Sequence, residues 1–389
     1  MSAYSLKLLK DAVGAASLVR FRLRLSPAND DGLVYPPTYE SGKHIFRPAW
    51  IDGVERQAVL LDSVQSQANR LELAILEASR RGEISYPDVV VDIAASTGHE
   101  TYSVLELSHR IYDAALRACK VEGTLFPETV VGKAVADARQ ERATALFEHA
   151  PLMLLLGGWN SHGGGGPLVA KLPRIITSEV IGLDAKPVER GAVKFDPMDI
   201  RKSAGPVYES RDAARLYETD PKSPLVKDAK KGKKPSEIGL GNVPAYGERG
   251  AVITEARMTS LVSMTAARRL RFPDQQNQYS SARDSAGRVA TAALGVFALA
   301  SQIRTGFCFR SGCDLVPMQN PTFEIVGTSL TDIQSPSIDY ASALAVLREA
   351  LAEAKAHGLE WRSSVIRATA DERLVTLVEN SRRVSDGED

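Results

Sequence analysis

In the stretch ASLVRFRLRLSP, Val19, Phe21, Leu23 and Leu25 alternate with Arg20, Arg22 and Arg24. A period of two predicts a strand with one apolar and one basic face. That basic face reads either as the solvated side of an edge strand or as a nucleic-acid contact through Arg20 and Arg22. DDGLVYPPTYESGK is loop, and KHIFRPAWIDGVERQAVLL predicts two strands joined at Asp52–Gly53, a two-residue hairpin signal. Val64, Ala68, Leu71 and Ile75 then recur at helical intervals. Asp62 or Ser63 can cap that helix, and Asp62 with Gln65 has capping-box spacing.

Further along, YPDVVVDIA predicts a short strand, and helices are expected near 103–118 and 134–149. Residues 151–182 predict a strand, a glycine loop and another strand. Helices follow near 254–270, 282–303 and 338–357, with a strand pattern in GFCFRSGCDLVP and a frayed tail in SRRVSDGED. Strands and helices mix without regular alternation, so the class is α+β. Between about 186 and 250 the character shifts to Pro, Gly, Lys and Asp, an exposed insertion in which Lys230, Lys231, Lys233 and Lys234 read as a solvated run. No internal repeat appears.

Composition narrows the class. Hydrophobic residues make up 44% and charged residues 25% of 389 residues, enough for one large or two ordinary cores. Lys+Arg and Asp+Glu both number 48, which excludes a uniformly basic protein and leaves open a local basic track. Cys119, Cys308 and Cys313 are too few and too irregular for a disulfide framework, which fits a reducing cytoplasm. The start MSAYSLKLLKDAVG has no long apolar run, and PLMLLLGGW is far shorter than a membrane span. The expectation is a cytoplasmic chain with no membrane partner.

Enzymatic constellations do not emerge. Gly163–Gly166 are followed by Pro167 and lack the Gly-Lys-Ser/Thr of a phosphate loop. No Gly-x-Ser-x-Gly elbow is present. His99 and His109 are widely spaced, and Cys308 with Cys313 lacks a second ligand pair, so neither a metal nor a cofactor is expected. Binding features are richer. A helix N-terminus offers free N–H groups and a positive dipole end; Ser63, Gln65, Ser66, Gln67 and Asn69 add neutral donors and Arg70 a charged fork. The plainer reading is a capped helix with a polar outer face. In GGWNSHGGGGPLVAKLPR, Trp159 and His162 can stack on bases while Lys171 and Arg174 meet phosphates. Its plainer reading is a loop between strands with Trp159 in the core. In AARRLRF, Arg268, Arg269 and Arg271 crowd a helix C-terminus, where the dipole favours them in any case.

Taken in order, YPPTYESGK, DGVERQAVLLDSVQSQANRLE, GGWNSHGGGGPLVAKLPRIITSEVIGLDA, SLVSMTAARRLRFP and FRSGCDLVP resemble the backbone subunit of type I-U (also I-G) CRISPR surveillance complexes, a RAMP protein of the Cas-seven group. The resemblance spans roughly 35–320. It implies an RRM-like (ferredoxin-like) palm with a thumb hairpin and helical insertions. On that reading, 1–160 and 251–375 form the palm, 161–250 the glycine loop and basic thumb region, and 376–389 a flexible tail. Such subunits stack along guide crRNA and present it to target DNA in a Cascade ribonucleoprotein. They work beside a large subunit, a guide-end capping or processing subunit and a recruited helicase-nuclease. A Ser-x-Gln-Ser-type segment at the first palm helix contacts guide phosphates in this group; Ser63, Gln65, Ser66 and Arg70 fall on it, which favours the phosphate reading. Here the glycine cluster is central, whereas many relatives carry theirs near the C-terminus. Type III relatives cut RNA with a thumb aspartate, so the alternative is a metal-dependent endoribonuclease using Asp184, Asp196 or Asp199. The expectation is a non-catalytic subunit.

Overall fold

The computed structural model describes residues 3–39, 42–95, 98–160, 171–194, 196–201, 203–212, 214–241 and 243–385, with 190–194, 243–248 and 383–385 as backbone only. Two compact units result: Met1–Ile93, His99–Lys186 and Ala251–Asp371 form the first, and Ala94–Gly98, Pro187–Gly250 and Glu372–Asp389 the second.

The first unit contains helix α1 (Leu6–Ala15), strands β1 (Leu18–Pro27), β2 (Phe46–Ile51) and β3 (Val54–Asp62), and helix α2 (Val64–Arg80). Strands β4 (Ile176–Leu183) and β5 (Glu255–Ser263) follow, then helix α3 (Ser281–Thr305). Strands β6 (Phe307–Cys308), β7 (Asp314–Pro317) and β8 (Thr322–Val326) and helix α4 (Tyr340–Ala356) complete the set used below. The class is mixed α+β. Among the described residues the principal sheet has nine strands, in the order β6-β7-β1-β5-β4-β3-β2, with β8 also pairing β1 and the short strand Ile333–Gln334 pairing β8. Neighbours run antiparallel.

Alternation along β1 buries Val19, Phe21, Leu23 and Leu25, as the sequence predicts. The strand is not an edge, because β5 lies on one side and β7 and β8 on the other. The hairpin between β2 and β3 turns on Asp52 (φ 53°) and Gly53 (φ 82°), the paired positive φ that a two-residue turn of this twist requires. Helices α2 and α3 cover the apolar face, where Gln67 of α2 reaches Ser178 of β4 at 2.7 Å. Buried Leu294, Val296, Phe297 and Leu299 anchor α3, each contributing roughly 1.5–3 kcal/mol of transfer free energy. Length and composition alone would let α3 cross a membrane, but 89% of its apolar window is buried, as in a core helix.

Several expectations are corrected. Residues 255–263 form the central strand β5, not a helix; pairing with β1 and β4 outweighs local propensity. Leu152–Leu156 is a short buried helix where a strand was expected, and 104–118 holds three 3₁₀ turns in place of one helix. The helix expected at 134–149 is two, Val130–Ala136 and Thr144–His149. Of SRRVSDGED, expected as a frayed tail, Ser381 to Ser385 continue the helix Glu372–Ser385, and 386–389 lie outside the described residues. Strand β4 belongs to the principal sheet and precedes the stretch from about 186 that reads as an insertion. The insertion is framed by strands Lys186–Lys194 and Val243–Val252, which are neighbours in one sheet.

Candidate nucleic-acid interface

Strand β3 ends in four buried apolar residues, Ala58 to Leu61, and they carry Asp62 into the interior at 0% exposure. Ser63, still extended, begins α2, and its Oγ accepts the Ser66 N–H at 3.2 Å. That satisfies one first-turn donor, while the N–H groups of Val64 and Gln65 have no intrahelical acceptor by virtue of position. The polar crowd after Asp62 serves its carboxylate. Ser66 Oγ donates to Oδ1 at 2.8 Å, and Gln67 Nε2 and Arg70 Nε donate to Oδ2 at 2.6 and 2.8 Å. A charge buried this deeply is tolerable only when paired and hydrogen-bonded, and its position before the first turn suits the helix dipole.

Gln67 is therefore a correction. It is fully buried, and its Oε1 accepts from Ser178 Oγ at 2.7 Å and Gln302 Nε2 at 2.8 Å. It joins α2, β4 and α3 and offers nothing to an external strand. Gln65 and Asn69 are exposed on the outer side of the helix.

Arg310, which sequence reasoning passed over, completes the site. Its guanidinium lies 3.8 Å from Asp62 Oδ1 and donates to Leu61 O at 3.0 Å. Arg70 also donates to Phe309 O at 3.3 Å and stacks 4.5 Å from the Phe309 ring centroid. Both arginines are 29% exposed over a carboxylate that is 0% exposed, so two partly exposed positive charges lie above one hidden negative charge. The β6–β7 turn that delivers Phe309 and Arg310 needs Gly312 (φ 75°), where a Cβ would meet the Tyr35 ring at 2.1 Å. The FRSGC pattern was a visible signal, though its arginine was not singled out.

On the other flank of α2, Arg174 donates to Val64 O at 3.4 Å. Buried Glu72 is bound by Arg110, whose other guanidinium nitrogen donates to Gly157 O at 3.2 Å. Burial, and then the charge of Arg110, lower the proton affinity of Arg174, while burial raises that of Glu72 against its hydrogen bond from Arg110. Lys171 pairs with Trp159 in a two-stranded ladder, and Trp159 is 62% exposed, not in the core. His162 and Gly163–Gly166 lie outside the described residues.

The remaining candidates sit elsewhere. Arg268 donates to Val13 O and Ala16 O at 2.9 and 2.8 Å and so caps the end of α1. Arg271 donates to Asp284 Oδ2 at 3.0 Å and stacks on Tyr279 at 4.1 Å, and Arg269 is exposed. These contacts do not involve α2. Arg20 and Arg22 share Glu324 on the sheet face opposite the helices. Asp184 accepts a bidentate Arg56 and the Thr254 hydroxyl; these hydrogen bonds hold its carboxyl down to about 2. Asp196 accepts the N–H groups of Met198 and Ile200, and Asp199 pairs with Arg201 at 3.0 Å. Among the described residues no three His, Cys, Asp or Glu side chains gather as metal ligands would.

Comparison with known proteins adds a family match over part of the chain. No curated protein matches the chain. Among solved structures, the crystal structure of Thermofilum pendens Csc2 aligns at 9% identity over 98% of this chain and 80% of the other, with a TM-score of 0.31, too slight to carry an argument. The sequence profile of the family described as CRISPR-associated protein GSU0053 matches residues 19–187, the stretch that contains β1 to β4 and the start of α2.

Proposed function

We propose that the chain is a guide-RNA-binding backbone subunit of a type I CRISPR interference complex, of the Cas-seven RAMP group. The observation that carries this reading is the α2 start, within the family-matched stretch, where Arg70 and Arg310 are fixed over buried Asp62. Guanidinium forks, first-turn N–H groups and the exposed amides of Gln65 and Asn69 are donors suited to phosphate and ribose, and none of them reads a base. The strand order β8-β1-β5-β4, with α2 between β1 and β4 and α3 between β5 and β8, is that of a ferredoxin-like βαββαβ unit and supports an RRM-like palm. The paired strands Lys186–Lys194 and Val243–Val252, which bracket the insertion, support reading it as a thumb.

On this reading copies of the chain line up along guide crRNA in the cytoplasm and present it to target DNA. A large subunit and a guide-end capping or processing subunit flank them, and a separate helicase-nuclease does the cutting. Binding is sequence-tolerant and salt-sensitive, with log affinity falling by about 0.7 per phosphate contact for each tenfold rise in salt. A Gln65→Ala/Arg70→Lys variant keeps a cation on Asp62 while losing an amide and a fork. Titrated with single-stranded RNA at moderate salt, it is expected to bind about tenfold more weakly. A folded variant that binds as tightly as wild type would refute the site. Regular cleavage of complementary RNA by the assembled complex with Mg²⁺ would refute the non-catalytic role.

A further inference from the structure

The outer face of the principal sheet carries a second set of arginines above buried acids. Arg20, Arg22 and Arg24 of β1 and Arg257 of β5 line one groove of about 470 Å³, together with Thr259 and Gln319. Pairing sets Arg24 opposite Arg257 and Arg22 opposite Thr259, so these side chains share one face. Below them, Glu324 accepts Arg20 Nε at 2.6 Å and also binds Arg22. Glu255 accepts Arg24 Nε at 2.7 Å and Arg257 Nε at 2.9 Å.

The vertical order of charge matters more than its sum. Glu324 and Glu255 are 5% and 7% exposed, whereas Arg22 and Arg24 are 47% and 48% exposed. Four guanidiniums therefore stand above two hidden carboxylates, and exposed Asp52, 3.2 Å from Arg257, compensates for only one of the two charges left over. Burial pushes the Glu255 carboxyl up, yet the hydrogen bonds from Arg24 and Arg257 carry it below the usual carboxylate range. It stays ionised at neutral pH and keeps the forks in place. Trp50 also lines the groove, although alternation along β2 sets it on the face opposite Ala49 and Ile51.

We propose that this groove is a second phosphate-binding site, separate from the α2 start, which takes a phosphodiester segment of single-stranded nucleic acid. The choice of nucleic acid over an acidic polypeptide rests on the function proposed above; the preference for an oxyanion rests on the groove alone. Gln67 of α2 packs against Ser178 on the face opposite the groove, so one nucleotide cannot occupy both sites. The two sites hold different segments.

The test is an Arg22→Gln/Arg24→Gln variant of the full chain, which leaves Arg20 on Glu324 and Arg257 on Glu255 and so strands neither buried acid. Labelled single-stranded RNA is titrated into wild type and variant over a potassium chloride series, with unfolding midpoints measured alongside. The expected result is an unchanged midpoint, about tenfold weaker binding, and a salt slope shallower by about 1.4, the equivalent of two phosphate contacts. Combination with Gln65→Ala/Arg70→Lys is expected to multiply the losses. Unchanged affinity and slope in a folded variant would overturn the groove and leave guide binding intact. No binding by wild type would overturn both. Loss of poly-glutamate binding without loss of RNA binding would overturn the assignment in favour of a protein partner.

Discussion

At the start of α2, Arg70 and Arg310 lie over a carboxylate with no solvent exposure, whereas in the second unit Lys231 meets Asp228 at 3.9 Å with side chains 83% and 45% exposed. Both regions are basic in sequence. In the first, a buried acid accepts from Ser66, Gln67 and Arg70 together and fixes where a guanidinium points. In the second, a lysine on a flexible stem keeps its water and gains little from an exposed partner. The same device recurs where Asp284 holds Arg271 and approaches Arg288 at 3.8 Å, and where Glu324 and Glu255 underlie the sheet-face arginines. A net charge of zero is thus compatible with positive surfaces, because several of the acids lie underneath.

The most damaging way to break the contrast is Asp62→Asn. The substitution keeps the shape but removes the charge that organises two arginines and two neutral donors. A loss of about 3 kcal/mol in unfolding free energy is expected from urea denaturation, within the range for breaking a buried ion pair. A loss below about 0.5 kcal/mol would mean that Asp62 does not organise the site.

A pH experiment sharpens the contrast at an anchor of intermediate exposure. Hydrogen bonds from Arg81 and Tyr340, with Arg304 added, hold the Glu83 carboxyl down to about 2. A value depressed in the folded state contributes stability that is complete above the ordinary 4.5 and fades as pH falls through about 2. Glu83→Gln is therefore expected to lower the urea midpoint at pH 7, with the gap to wild type closing between pH 4.5 and 2. A gap independent of pH would contradict that role.

The smallest effect belongs to the lysine run. Lys230→Gln/Lys231→Gln is expected to change stability by less than about 0.5 kcal/mol and RNA affinity less than about threefold. A larger loss of affinity would make the insertion a principal contact.

The sequence made the strand-to-helix junction at Asp62–Ser63 legible because apolar run, cap and helical period all agree there. It hid the purpose of the polar crowd, since Arg310 reaches Asp62 from the β6–β7 turn, far along the chain. Strand β5 was misread for a physical reason. Ala256, Met258, Ser260 and Val262 are the buried alternate positions, but Ser260 breaks the apolar pattern and is satisfied by Ser178 across the sheet. Leu152–Leu156 is apolar at every position, so periodicity cannot tell strand from helix. The arginines of AARRLRF show the same limit: Arg268 caps α1, a helix from which it is remote in sequence.

A Gln65→Glu/Asn69→Asp variant separates the proposed phosphate contact at the exposed first turns of α2 from effects on folding. Of the two positions only 65 lies in the first turn, where an acidic side chain stabilises a helix by about 0.3–1 kcal/mol; the like-charge i,i+4 pair offsets about 0.2–0.5 kcal/mol of that, and both side chains repel a polyanion. Measured on one preparation, the variant is predicted to unfold at an equal or higher temperature and to bind single-stranded RNA at least about tenfold more weakly at low salt. Equal stability with undiminished RNA binding would contradict the account.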